Sequence, residues 1–169
     1  MINKLIITCI LILGISTISN AQYSFHAHEI YVDIFAPIGF KTVMATYELS
    51  LTDTYSVGVQ GLKNLSKDNE NYNDAYEDFS LTPFFRSYFQ DDEADGFFYE
   101  GFVKYEERRI KANVYHSFIG PGIGAGLKKV SSFGLVYGIN FGIGYAFSTT
   151  TGIENDFLKR GSLFIGWRF

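Results

Sequence analysis

The chain has 169 residues, 14 basic against 18 acidic side chains and a single cysteine, so a basic nucleic-acid footprint, a disulfide and a cysteine-built metal site are all excluded. Abundant aromatics (17 Phe, 12 Tyr) with 17 Gly and only 3 Pro favour strands over helices, and the length suits one domain.

The amino end reads as an export signal. Lys4 gives a positive start, Leu5 to Ile15 is an almost unbroken apolar run, and Ser19-Asn20-Ala21 closes it with a small-x-Ala pattern. This predicts a signal peptide over 1–21 with cleavage before Gln22. The apolar run is too short for a comfortable membrane span. Cys9 lies inside it, away from a processing site, so a lipoprotein anchor is not expected. Residues 22–169 then form one domain of 148 residues, without cysteine and with a net charge near −5. In its lead-in, His26-x-His28 offers two imidazoles without a third ligand, so no metal or other cofactor is expected.

Strands are predicted over 29–36, 41–50, 54–64, 79–89, 97–106, 115–127, 133–147 and 161–169. The seventh carries the clearest signal. Phe133, Leu135, Tyr137, Ile139, Phe141, Ile143, Tyr145 and Phe147 alternate with Gly134, Val136, Gly138, Asn140, Gly142, Gly144 and Ala146. A period of two places these sets on opposite faces of a strand, one bulky and apolar, the other small or polar. Leu163, Ile165, Trp167 and Phe169 repeat the pattern at the carboxyl end. Ile30, Val32 and Ile34, then Val43, Tyr47 and Leu49, then Leu81, Phe85, Tyr99 and Val103 extend the apolar face.

Short turns are expected at Leu51–Thr54, Gln90–Gly96 and Lys128–Ser132. On the other side a tight Pro37–Phe40 link and longer polar loops near 65–78, 107–114 and 148–160 are expected. Segments of about 9–11 residues cross a bilayer when tilted, and eight of them can close into a barrel that leaves no unpaired edge. The fold class read from this pattern is all-β, an eight-stranded antiparallel up-and-down transmembrane β-barrel. Aromatics gather near the strand ends, with Phe89, Phe97, Phe133, Trp167 and Phe169 at the inner rim. Phe79, Tyr105, Tyr115 and Phe147 stand at the outer one.

The opposite, inward face carries Glu29, Asp33, Glu48, Arg86, Glu100, Lys104 and Arg168. Buried charge is costly unless paired, so these predict a structural network of opposite signs inside the barrel. A proton or ion pathway is the alternative, but an eight-stranded interior is only about wide enough for side chains. Tyr31, Phe35, Phe84, Tyr88, Phe98, Phe102, Phe118 and Phe164 are assigned inward as filling, facing the glycine-lined strands.

Gly120-Pro121-Gly122-Ile123-Gly124-Ala125 fits the dinucleotide fingerprint in letters alone. Gly126-Leu127-Lys128-Lys129 follows in place of a helix, and no acidic residue stands where the ribose contact would need one. The loop from Lys67 to Asp78 is acidic but lacks the spacing of a calcium loop. Arg108, Arg109, Lys111, Lys159 and Arg160 are placed near the outer rim, where anionic lipid headgroups are natural partners.

The signal peptide, the period of two and the final Phe169 together resemble the small OmpA/OmpX-like outer-membrane barrels. Tyr47-Glu48 at the end of the second strand is similar to a pair found in uncharacterised Bacteroidetes-type barrels. The resemblance implies a bacterial outer-membrane protein, with Trp167 and Phe169 read by the barrel-insertion machinery. It also implies contact with outer-membrane lipid and lipopolysaccharide and no nucleic-acid partner, and a monomer is expected. Some relatives of that class are lipid A-modifying enzymes that use His, Ser and an acid. Here the only comparable cluster is His116-Ser117 with Glu106 and Glu107, and neighbours in a strand diverge. No catalytic residue is assigned, and the role expected is structural or one of surface contacts. A secreted lipocalin-like carrier, with the apolar face turned inward, is the other reading.

Overall fold

The computed structural model describes residues 27–65, 76–89, 94–111, 114–149 and 154–169. The expected signal peptide, His26 and most of the acidic loop lie outside them. The elements in chain order are β1 (His28–Asp33), α1 (Ala36–Phe40), β2 (Thr42–Ser50), β3 (Tyr55–Asn64) and β4 (Tyr76–Tyr88). Then come β5 (Gly96–Lys111), β6 (Val114–Val130), β7 (Leu135–Ser148) and β8 (Asp156–Arg168). Each strand pairs antiparallel with the next, and β8 returns to β1, closing an eight-stranded barrel. His28 and Phe169 exchange backbone hydrogen bonds of 3.1 and 2.8 Å at what is here called the terminal end. The opposite mouth is the far end.

Alternation governs every wall. In β2, Thr42, Met44, Thr46, Glu48 and Ser50 are buried while Val43, Ala45 and Tyr47 are exposed. The barrel is inside out relative to a water-soluble core: Ile123 is 72 % and Ile143 66 % exposed, whereas Arg86 and Glu48 are fully buried.

Inward aromatic rings meet glycines on the neighbouring strand. Phe84 faces Gly58, Phe102 faces Gly122, Phe98 faces Gly126, Phe164 faces Gly138 and Tyr31 faces Gly166. A methyl group added at Gly122 would lie 2.2 Å from the Phe102 ring, and one at Gly126 2.5 Å from Phe98. One wall is kept bare so that rings from the next can fill a narrow interior.

Several boundaries differ from expectation. β1 ends at Asp33, three residues early, because the Asp33 carboxylate accepts from the backbone N–H of Phe35 (2.8 Å) and of Ala36. Pro37, with its fixed φ, stands in the first turn of the helix that follows. A short α1 thus replaces the tight link, and Phe35, assigned inward, loses the strand period and is 56 % exposed. β4, β5 and β8 run three to five residues further than expected at the far end. Charged residues assigned there to loops keep the alternation and pair across the hairpin, Arg108 opposite His116 and Glu107 opposite Ser117. β6 also continues to Val130, and its turn to β7 is set by Gly134 at φ 93° and by the Ser131 hydroxyl, which accepts from Leu135 N–H at 2.9 Å.

Candidate functional site

The densest chemistry lies inside the barrel. From the terminal end, Arg168 pairs with Glu29 at 2.6 Å, and Lys128 bridges Glu29 (2.9 Å) and Glu48 (2.8 Å). Arg86 then bridges Glu48 (2.5 Å) and Glu100 (2.8 Å), and Arg160 lies 2.9 Å from Glu100. Glu48 is the hub. It also accepts from the hydroxyls of Tyr31, Ser56 and Tyr88, each at 2.7 Å. Through Lys128 and Glu29 the chain ties β1 to β6, a strand it does not pair with, and Arg168 adds a side-chain link to the backbone pairing of β1 with β8. Arg86 is held between the Phe84 and Phe98 rings, 4.4 and 4.2 Å from their centres.

A second chain occupies the far end. Lys104 bridges Glu77 (2.9 Å) and Glu106 (2.8 Å), and Arg108 joins Glu106 to Asp156. A register shift between Glu77 and Phe79 accompanies this, with Glu77 reaching Lys104 while Asp78 meets Lys63 (2.6 Å) and Arg109 (2.7 Å). Lys104 and Arg108 also cross to the other wall, donating to the carbonyls of Lys159 (2.9 Å) and Phe157 (2.8 Å).

Of the seven residues assigned to the interior network, Glu29, Glu48, Arg86, Glu100 and Arg168 meet in the inner chain, and Lys104 anchors the outer one. Asp33 stands apart. Its carboxylate takes backbone N–H groups, those of Phe35 and Ala36 and, at 2.7 Å, that of Leu163. Trp167 leans on Phe133 and Phe169 stacks on His28, both with ring centres 6.0 Å apart. His28 Nδ1 lies 2.6 Å from the Tyr47 hydroxyl.

The sequence pattern places Lys128 in a turn and Arg160 at the outer rim, yet both are buried in the lumen. Parity was the available signal. Lys128 continues the even-numbered inward set Gly120 to Gly126, and Arg160 continues Ser162 and Phe164.

His116 and Ser117 do not converge. His116 pairs across the hairpin with Arg108, while Ser117 meets the Tyr105 hydroxyl (3.4 Å), which itself donates to Glu107. Among the described residues, no three His, Cys, Asp or Glu side chains gather as a metal ion would need. Chemically, the interior is a cross-brace. Glu29, Glu48, Arg86 and Lys128 are without solvent exposure, so among the described residues this layer is filled by paired side chains. Each pair is worth little net of desolvation, but losing one partner strands the other. No family model, curated protein or solved structure matches the chain.

Proposed function

We propose that this chain is a bacterial outer-membrane β-barrel protein of the small OmpA/OmpX-like type, exported with removal of residues 1–21. In this reading it works as a monomer without enzymatic chemistry, as a structural element of the envelope or through contacts made by its far-end loops. The observation that carries it is the inversion of the barrel. Large apolar side chains such as Ile123, Phe141 and Ile143 stand exposed, while the ion pairs are sealed inside.

Water does not favour such a surface, and hydrocarbon does. A lipocalin-like carrier needs an apolar interior for its ligand, and here that space holds Arg86, Lys128, Glu29 and Glu48. Closure of β8 on β1 leaves little backbone to pair with lipid, which cannot supply hydrogen bonds. The Tyr47-Glu48 pair behind the Bacteroidetes-type resemblance gains a physical meaning, because Glu48 is the hub of the inner chain. Outer-membrane lipid surrounds the barrel in this reading, and Trp167 and Phe169 end the strand that the insertion machinery reads.

Expression in a Gram-negative host, followed by membrane separation and a denaturing gel of boiled and unboiled samples, tests the proposal. A band in the outer-membrane fraction that shifts on heating is the expected result. Recovery as a soluble periplasmic or secreted protein would overturn it.

A further inference from the structure

The wall of the barrel is not equally deep all round. β1 meets β8 only from His28 to Asp33, against Phe164 to Phe169, and the Ile34 N–H to Leu163 carbonyl bond (2.9 Å) ends the seam. On its other side β8 keeps its partner much further, to Asp156 opposite Ala146 of β7. The chain leaving β1 turns into α1, which packs on β2. Among the described residues no strand continues along β8 from Asp156 to Ser162.

Strand alternation fixes which backbone groups this exposes. Arg168 N–H bonds to Gly134 on the β7 side, while Phe169 and Leu163 bond towards β1. Odd-numbered residues of β8 therefore turn their N–H and C=O groups to the seam, including Phe157, Lys159 and Gly161. Two carbonyls there are already taken, Lys159 by Lys104 and Phe157 by Arg108, both reaching from inside the lumen. Lysine and arginine accept nothing, so they cannot serve the N–H groups of Lys159 and Gly161. The open stretch thus offers two donors, the N–H groups of Lys159 and Gly161, against one carbonyl, that of Gly161, with the exposed Lys159 side chain beside it. Phe157, on the same strand and 62 % exposed, adds apolar surface beside it.

We infer that this edge of β8 docks the phosphorylated headgroup of an outer-leaflet lipid, an assignment that rests on the membrane reading above. Phosphate oxygens accept from the N–H groups of Lys159 and Gly161 and from the Lys159 ammonium. The acyl chains lie over Phe157. A second copy is a poorer occupant, because antiparallel pairing of two such edges centred on Lys159 would set like charges opposite each other.

The test uses the full chain folded in a neutral detergent, checked first by its heat shift. Native mass spectrometry then titrates it with bisphosphorylated lipid A and with the dephosphorylated form. The phosphorylated lipid should bind better, and Lys159→Ala should weaken it by about fivefold. Lys129→Ala, at the terminal end, should leave it unchanged. Equal binding of both lipids, or an unaffected Lys159→Ala, would overturn the site while leaving a heat-shifting barrel intact. A chain with no heat shift would instead fail the membrane reading and the site with it. In cells, a photoreactive benzoyl-phenylalanine at position 157 should yield a phosphate-labelled adduct at the barrel's own mass. A crosslink to a second polypeptide would mean that the edge takes a strand, and would overturn the proposal.

Discussion

Gly101 and Gly122 are the same residue on neighbouring strands, with opposite surroundings. A methyl group at Gly101 meets nothing within 4 Å, whereas one at Gly122 meets the Phe102 ring at 2.2 Å and the Ile143 carbonyl at 2.8 Å. Overfilling a packed interior costs about 1–3 kcal/mol, so Gly122→Ala should lose that much stability. Gly101→Ala should stay within about 0.5 kcal/mol of the parent. Urea unfolding of the folded protein in micelles measures both, and equal losses would contradict the packing described. At this scale, parity made Glu48, Arg86 and Glu100 legible from the sequence. Parity misplaces Phe35, where the strand has already ended, and it reaches Lys128 and Arg160 only once the strands are extended past 127 and before 161. A charged residue near a turn looks like loop until its cross-barrel partner is known, and Lys128 meets Glu29 and Glu48 from 99 and 80 positions away.

The strands themselves were readable wherever an apolar face ran unbroken, as in β7. Their far ends were not, because Glu106, Arg108, Asp156 and Arg160 carry charge that the inner and outer ion chains neutralise only in three dimensions. The shortness of β1 was hidden for a different reason: Asp33 spends its carboxylate on the backbone of the next turn. The resulting seam has a dynamic consequence. Amides that lack a strand partner open without unfolding their element. The Lys159 and Gly161 amides should exchange with deuterium at least tenfold faster than those of Arg160 and Gly142, which pair across β7–β8. Amide exchange followed by NMR in micelles measures this. Uniform protection along β8 would show that the seam is closed.

For the whole molecule, one physical statement joins fold, interior and proposed role: the ionic face is inside and the apolar face is the surface. The interior chains do not have to stabilise the barrel greatly to matter. They let charged residues occupy a space closed to solvent, and they lock strands distant in sequence to one another. The apolar surface would be a liability in water and is an asset in lipid. Ile123, at the middle of β6 and 72 % exposed, is the position that distinguishes the two settings most sharply. The measurement is fluorescence of an Ile123→Trp variant, made in a Trp167→Phe background so that it carries the only indole, folded into vesicles. Lipids brominated at mid-chain should quench it strongly while aqueous acrylamide has little effect. Quenching by acrylamide with no response to the brominated lipid would contradict the account.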